Sequence, residues 1–423
     1  MIRLAPTDIP AYLHFGYLPR YEDGFEGILD KLWLHLDTRW LVDGESALVE
    51  KGTAVLYNAL RQAVEAVGKD KLHILPLSGG LDSRAILGGL LENVDRTKIQ
   101  AVTFGTPGTW DYEIGQQVAQ AVGVRCEAID LTAADWRWDI DGLRETAVQT
   151  KTPTWLFDAY VNRHIPQYFG TEAVYWSGFM GDPLAGSHLL PTDSVSWERA
   201  RFQFIKRNQF ARSMRLSPPD FAAENTLPDK PLLPADLLSY DEQLDFAIRQ
   251  RCLISHIVLP QGYDYQTPFL HPEWVEFILN VPRQCRTELK LYKRILQAAY
   301  PTLFALPTKT NNGLPLQAPR WRQAIQTNKL RVRHRVRRYW PWINLGVPPQ
   351  TNYIDFDDGL RHRADLQQLV YENIQSLKKR GVVDWLDLEA IWQRHQKRQA
   401  NYADALRLLA SLEIYLQVGE TAV

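Results

Sequence analysis

The sequence predicts an α/β fold in which a parallel sheet has helices on both faces and a mostly helical C-terminal region follows. Three observations lead to this fold class. Apolar runs of strand length alternate with amphipathic stretches, glycine-containing turns follow two of the strands, and helical spacing dominates beyond about residue 240. Strands that alternate with helices pair in parallel, and such sheets bind ligands at the carboxyl ends of their strands.

The elements follow in chain order. Apolar residues at helical spacing predict a first helix over residues 47–67. Predicted strands lie at 72–77, 99–104, 124–129 and 173–176, with helices at 84–91 and 112–122 between them and a short strand at 31–36 before them. The polar, proline-punctuated stretch 191–234 predicts a long excursion or lid, and the proline-rich stretch 305–319 interrupts the later helices.

The composition limits the classes of protein to which this chain could belong. Lys and Arg number 48 against 49 for Asp and Glu, so no charge bias toward nucleic acid or a membrane is visible. We find neither an apolar run long enough to cross a bilayer nor a signal-peptide pattern at the N-terminus. Cys126, Cys252 and Cys285 lie far apart and predict buried, reduced thiols without a disulfide or zinc motif. The expected location is the cytoplasm, with neither membrane nor nucleic acid as a partner.

The most informative segment joins the first predicted strand to its helix, at Ser78-Gly79-Gly80-Leu81-Asp82-Ser83. Glycines permit positive φ and remove side chains that would keep a phosphate from the backbone. The N–H groups of the turn and the helix N-terminus then offer an anion site. Two serine hydroxyls add donors, and the aspartate carboxylate can hold Mg²⁺ against phosphate oxygens.

This hexapeptide resembles the pyrophosphate-binding loop of the N-type ATP pyrophosphatases, the PP-loop proteins with a HUP-like fold. Further segments resemble the asparagine synthetase branch in its own order, at residues 102–105, 111–113, 176–186, 267–277, 293–297 and 307–315. Among them, residues 176–186 are similar to the family's second glycine turn. The resemblance divides the chain into a truncated N-terminal segment (1–46), a synthetase-like domain (47–320) and a helical C-terminal extension (321–423).

The resemblance implies a mechanism with ATP and Mg²⁺ as cofactors. A carboxylic acid would attack the α-phosphorus of ATP, and an amine or ammonia would then displace AMP to give an amide. By the family pattern Asp82 and Asp182 are the Mg²⁺ ligands, and Lys309 stabilises the reacting centre. The ATP site is assigned to the loop together with Leu77, Phe104 and Gly178; the main chain of Leu77 and Gly178 would hold the adenine.

Two departures from the family matter. Asparagine synthetases begin with a glutaminase domain and a cysteine nucleophile, so this chain is expected to lack glutaminase activity and to use ammonia, another amine or a separate amidotransferase or carrier. Phe179 occupies the position of a family glutamate, or of a tyrosine in β-lactam synthetases, and cannot accept a proton. Another residue supplies the base, or the amine arrives neutral, or amide formation has been lost. His188 and Glu198 are close enough in sequence to reach the pocket, while His271 replaces a family aspartate in a packing position.

Three hypotheses follow. The first is an AMP-forming amide ligase acting on an unknown acid, closing a ring as β-lactam synthetases and lasso-peptide cyclases do or joining two molecules. The second is a scaffold protein that binds nucleotide without turnover. The third, sulfur transfer to tRNA, lacks paired cysteines. A separate basic run, at residues 331–338, predicts a solvated helix face or a docking site for an acidic peptide or carrier.

Overall fold

Five parallel strands form the sheet at the centre of the fold. The computed structural model describes residues 4–20, 44–150, 152–340 and 345–421. The strands are β1 (His73–Pro76), β2 (Ile99–Gly105), β3 (Arg125–Asp130), β4 (Val174–Trp176) and β5 (Asp264–Gln266). They are ordered β3-β2-β1-β4-β5, and every neighbouring pair is parallel. The direction in which strands are added therefore reverses between β1 and β4, which is where sheets of this kind open a ligand crevice.

Successive residues of β1 enter different cores, so both faces of the sheet are covered at its centre. Leu75 of β1 packs in a core with residues from helices on one side, including Leu60 and Ile86. Its neighbour Ile74 packs on the opposite side, with Ile165 and Tyr175. Because side chains alternate across a strand, a sheet buried on both faces needs apolar residues at every position. The predicted α/β class with a parallel sheet is confirmed.

The helices surround the sheet and continue to the end of the described chain. They are α1 (Ile9–Phe15), α2 (Glu45–Val67), α3 (Asp82–Asn93), α4 (Trp110–Ala121), α5 (Ile140–Thr150), α6 (Leu156–Phe169), α7 (Gly181–Ala185), α8 (Trp197–Asn208), α9 (Tyr240–Leu244), α10 (Ser255–Val258), α11 (Pro272–Leu279), α12 (Arg283–Arg286), α13 (Lys290–Ala299), α14 (Pro301–Phe304), α15 (Arg320–Tyr339), α16 (Phe356–His362), α17 (Ala364–Arg380), α18 (Leu388–Gln396) and α19 (Ala403–Thr421). A π-helical stretch, Asp245–Ile254, joins α9 to α10.

The predicted helical C-terminal region is confirmed, and it packs against the beginning of the chain. Tyr12 and Leu13 of α1 share a core with the last helix, α19. The rings of Tyr12 and Tyr415 meet edge to face with centroids 5.9 Å apart, and the Tyr415 hydroxyl accepts the Thr154 N–H at 3.1 Å. The two ends of the described chain therefore close one core together.

Some sequence-based expectations differ from the structure or lie outside it. The strand β5 was not predicted, because its three residues form a pattern too short to separate from the surrounding helices. The predicted strand at residues 31–36 lies outside the described residues. The predicted excursion at 191–234 contains α8, whose Trp197 and Phe204 are buried against Phe15 and Leu227, so this stretch is packed onto the body of the fold.

Two chain-wide predictions can also be compared with the structure. Cys126, Cys252 and Cys285 form no disulfide with one another in the described structure, and each is partly exposed, whereas the sequence predicts that they are buried. In the described part of the chain, no helix has both the length and the apolar character needed to cross a membrane.

Candidate functional site

A large cavity opens at the carboxyl ends of β1 and β4, where the strand order reverses. Its volume is about 690 Å³, enough for a nucleotide and part of a second substrate. Both glycine-containing turns singled out in the sequence line it, and so does Lys309, which comes from a loop more than a hundred residues later. Of the predicted site residues, the cavity wall includes Leu77, Ser78, Gly80, Asp82, Ser83, Phe104, Gly178, Asp182 and Lys309.

The three backbone N–H groups of the first turn donate hydrogen bonds to side-chain oxygens. The Ser78 N–H donates to the Ser83 hydroxyl at 3.3 Å, and the Gly80 N–H donates to the Ser78 hydroxyl at 3.1 Å. The Gly79 N–H donates to Oδ1 of Asp111 at 3.3 Å. The bonds of Ser78 and Gly79 are slightly longer than usual N–H···O contacts, and that of Gly80 is within the normal range. The turn therefore presents three donors, from Ser78, Gly79 and Gly80, that an incoming phosphate could take over from these acceptors.

The glycines of this turn serve close packing and not an unusual backbone conformation. Neither Gly79 nor Gly80 has positive φ, contrary to the reason the sequence suggests for them. A Cβ on Gly79 would lie 3.1 Å from both Cβ of Lys309 and the carbonyl oxygen of Trp110. The small residue thus lets the Lys309 loop lie directly on the turn.

The second turn is built around the side chain of Asp82. A Cβ on Gly178 would lie 2.7 Å from Cβ of Asp82, and one on Gly181 would lie 2.5 Å from its carboxyl carbon. Between the two glycines Met180 takes a left-handed conformation, with φ of 67°. Only hydrogen fits at residues 178 and 181, which explains why this turn has glycine at both positions.

The two aspartates that the sequence predicts as metal ligands are brought together. The Asp182 N–H donates to Oδ2 of Asp82 at 3.0 Å, and the Tyr292 hydroxyl donates to Oδ1 at 2.6 Å. Burial raises the pKa of Asp82 well above its usual value, and the nearby Asp182 carboxylate raises it further. A cation between them would relieve both effects, because it favours the charged carboxylates.

The carboxylates of Asp82 and Asp182 suit Mg²⁺ only together with the phosphates of a nucleotide. Among the described residues, no cluster of three or more His, Cys, Asp or Glu side chains could hold a metal. Mg²⁺ is commonly bound through one or two carboxylates, water and substrate phosphates. Asp82 and Asp182 fit that pattern, with phosphate oxygens completing the coordination.

Lys309 lies at the opposite side of the turn, held by two oxygens. Its ammonium donates to Oδ2 of Asp111 and to Oδ1 of Asn352, the latter at 2.6 Å. Its backbone N–H donates to the Gly79 carbonyl at 2.7 Å. The ammonium is therefore next to the phosphate-binding turn, and its charge is balanced by Asp111.

Arg84 holds the loop that carries Lys309 in place. Its fully buried guanidinium donates to the carbonyls of Leu303, Leu306 and Pro307, at 3.0, 3.2 and 2.6 Å. Burial lowers the pKa of Arg84 to about 10, so the group stays charged at neutral pH. A helix that begins in the first turn thus anchors the loop that carries Lys309.

Leu77 and Gly178, whose main chain the resemblance assigns to the adenine, both line the cavity. The Leu77 N–H is bound to the Val102 carbonyl at 2.7 Å, and its carbonyl oxygen packs against Gly115 of α4, where a Cβ would lie only 2.3 Å away. The Gly178 N–H meets no hydrogen-bond partner within the described residues. Phe104 lies beside them, stacked parallel to Tyr353 with ring centroids 5.9 Å apart.

Phe179 forms part of the cavity wall. It is 5% exposed and belongs to the main apolar core. His188 pairs with Asp245 at 2.8 Å and does not line the cavity itself; Ser187 and Gln250, next to this pair, do. Burial acts to lower the pKa of His188, but the Asp245 carboxylate outweighs it and the pKa is raised.

The other two candidates lie outside the cavity wall. Glu198 is exposed on α8, so the structure does not bring it to the site. His271 bonds to the Gln62 side chain at 2.9 Å, which agrees with a packing role.

Sequence reasoning missed several residues of the site. Tyr292, which donates to Asp82, immediately precedes the recognised segment 293–297 and had no signal of its own. Asn352 and Tyr353 come from a loop beyond the synthetase-like region, where no motif marks them. Only three-dimensional contact, through Lys309 and Phe104, assigns them to the site.

Comparison with known proteins adds no identification. No model of a known protein family matches the chain, and no curated protein is a significant match to it.

Proposed function

We propose that the protein is an AMP-forming amide ligase with the PP-loop fold of the asparagine synthetase family. It would transfer AMP from ATP to a carboxylic acid and then pass the acyl group to an amine or ammonia. One observation carries the proposal: glycine turns after neighbouring strands place Asp82 and Asp182 together beside three loop amides and Lys309. Such a combination can bind a nucleoside triphosphate and stabilise the charge on pyrophosphate as it leaves.

The main chain at the far end of the cavity supports an adenine nucleotide. Adenine presents a donor, its exocyclic amine, next to ring-nitrogen acceptors. The Gly178 N–H would donate to a ring nitrogen, while the Leu77 carbonyl packs against Gly115 and leaves the amine to another acceptor. Phe104, stacked on Tyr353, gives the base an apolar surface. The triphosphate would then extend toward the Ser78–Gly80 amides.

The reaction follows from this placement. A carboxylate oxygen of the acid attacks the α-phosphorus, and the bond to the pyrophosphate oxygen breaks. Loop amides and the Lys309 ammonium stabilise the negative charge that the leaving pyrophosphate gains. Mg²⁺, held by Asp82 and Asp182 with phosphate oxygens, would supply further charge neutralisation. The amine nitrogen then attacks the acyl carbon, AMP leaves, and the amine loses a proton.

The proton acceptor is the least conventional part of the proposal. Phe179 cannot act as a base, so the group must lie elsewhere or the amine must arrive neutral. His188 is bonded to Asp245, whose carboxylate outweighs the effect of burial and raises the pKa of His188, and it lines a separate cavity, so the structure does not bring it to the acyl group. We therefore propose that the amine arrives neutral and that its proton passes to solvent. A His188→Gln variant should then form both adenylate and amide at the normal rate, and a selective loss of amide formation would contradict this.

A second candidate function, nucleotide binding without turnover, is favoured by Phe179 alone. The ring belongs to the apolar core and takes the place of the family's proton acceptor. A scaffold protein of this kind would bind ATP and show no exchange of pyrophosphate with any acid.

The deciding experiment is ATP–pyrophosphate exchange with a panel of carboxylic acids, with AMP release measured in parallel. Asp82→Asn and Asp182→Asn should each abolish exchange, because either substitution removes one of the two carboxylate charges. Glu198→Gln, which alters an exposed carboxylate outside the cavity, is the matched control. ATP binding without exchange in every acid tested would support the scaffold. Unchanged exchange in both aspartate variants would overturn the site.

A further inference from the structure

One wall of the large cavity consists of apolar side chains. Phe179, Ile254, Val258 and Leu289 all line the cavity. Phe179 and Leu289 belong to the main apolar core, and Ile254 and Val258 pack against that core. The four side chains are therefore continuous with a single core, and we call them the apolar wall.

The apolar wall lies beside the second glycine turn and away from the proposed adenine site. Phe179 belongs to that turn and shares its core with Leu289. Phe104 and Tyr353, which are proposed to hold the base, pack against a different core. A nucleotide that runs from these two rings to the amides of the first turn would leave the apolar wall for a second molecule.

The backbone of the apolar wall is unusual in two places. Ile254 is the last residue of the ten-residue π-helical stretch Asp245–Ile254. Leu289 has a φ of 59°, and Glu288 before it has a φ of 57°. Long π-helical stretches are rare and often occur at functional sites, and left-handed residues other than glycine are concentrated at ligand sites. In both places the uncommon backbone presents an apolar side chain to the cavity.

The π-helical stretch and the helix after it have one face on the cavity. Gln250, Ile254 and Val258 lie four residues apart, and all three line the cavity. Leu253 and Ile257, between them, are buried in a separate core on the other face. Ile254 and Val258 are half-buried. We conclude that their exposed surface faces the cavity, where a ligand can contact it.

Charged groups are confined to the other parts of the cavity. Among the described residues that line it, the charged side chains are Asp82, Asp111, Asp182 and Lys309. Lys309 is paired with Asp111, and the other two aspartates are the proposed Mg²⁺ ligands. A molecule that placed an ammonium or a carboxylate on the apolar wall would lose the hydration of that charge and gain no counter-ion.

We infer that the apolar wall binds the side chain of the carboxylic acid, and that this acid has an apolar chain or ring and no charge besides its reacting carboxylate. The proposed ligase function supplies the reacting group, so the inference rests on it. Contact between an apolar chain and the four side chains removes both surfaces from water, which favours binding.

The test compares apolar acids with charged analogues of similar length. Hexanoate and 3-phenylpropanoate are the apolar acids, and adipate and 6-aminohexanoate add a second carboxylate or an ammonium to the six-carbon chain. Calorimetry measures the affinity of each acid in the presence of Mg²⁺ and α,β-methylene-ATP, which cannot release pyrophosphate. Pyrophosphate exchange with ATP is measured in parallel. The apolar acids should bind at least about tenfold more tightly than either charged analogue.

Two variants locate the binding to the apolar wall. Ile254→Arg adds a cation and should weaken hexanoate binding about tenfold or more, while adipate binds more tightly than it does to the wild type. Val258→Ala removes apolar surface without adding charge and should weaken hexanoate binding severalfold. Ile325→Arg changes an exposed isoleucine on α15 and is the matched control, with all affinities unchanged. Melting temperatures show whether each variant is folded.

The outcomes separate this inference from the proposed function. Charged analogues that bind as tightly as the apolar acids, or no binding by any of the four acids, would overturn the inference. So would an unchanged hexanoate affinity in both wall variants. Selective binding of the apolar acids without pyrophosphate exchange would remove the ligase and keep the apolar site.

Discussion

Replacing Lys309 by alanine should weaken ATP binding as well as turnover, because of what the lysine leaves behind. The ammonium balances the charge of Asp111. The same carboxylate accepts the Gly79 N–H at 3.3 Å, at a donor that a phosphate would use. Without Lys309, an unpaired negative charge lies where we propose that the triphosphate binds.

The size of the effect follows from the geometry. A phosphate oxygen that replaces the carboxylate on the Gly79 N–H would remain within about 6 Å of it. At an effective dielectric constant near 20, two unit charges at that distance repel by about 3 kcal/mol. Solvent in this open cavity reduces the value, so we expect ATP to bind about ten- to a hundredfold more weakly.

A double variant separates the two roles of the lysine. Lys309→Ala/Asp111→Asn removes both charges and should recover most of the ATP affinity in titration calorimetry, while exchange stays about a hundred- to a thousandfold low. Asp111→Asn alone is the control and should bind ATP at least as well as the wild type. Equal ATP affinities in Lys309→Ala and the wild type would refute the electrostatic argument.

Three further predictions concern other parts of the chain. Gly181→Ala puts a methyl group 2.5 Å from the Asp82 carboxyl carbon and should weaken Mg²⁺-dependent ATP binding; Gly44→Ala, where a Cβ meets open space, should not. Phe179→Glu buries a carboxylate in the apolar wall and should lower ATP affinity and activity, so a gain of amide synthesis would count against the proposed site. Burial lowers the pKa of fully buried His395 to about 4. The unfolded chain binds this proton near pH 6.5. The contribution of neutral His395 to the free energy of unfolding should therefore be fully present above that pH and fall by about 1–3 kcal/mol toward pH 4. The melting temperature of His395→Asn should depend less on pH over this range than that of the wild type. An identical pH dependence in the two proteins would refute the prediction.

The sequence predicted four of the five strands and the two turns because those features are local. The apolar run of β1 and the glycines and aspartate of the turn after it are next to one another in the sequence and can be recognised there. The contacts that complete the site are not local. Tyr292, Asn352 and the carbonyls bound by Arg84 reach the turns only through folding, and no periodicity records such pairings. The glycine positions were predicted, but their reason, close packing on Asp82 and Lys309, required coordinates.

The shared core of α1 and α19 has a consequence for how the chain folds during synthesis. Tyr12 and Leu13 are synthesised long before their partner Tyr415. Until Tyr415 is made, the part of the α1 surface that packs on α19 stays exposed to solvent and to chaperones, since non-local contacts of this kind form late. The sheet and both turns can form earlier, because their strands lie between residues 73 and 266. A nascent chain lacking α19 should therefore contain the assembled central cavity on an unfinished and aggregation-prone body.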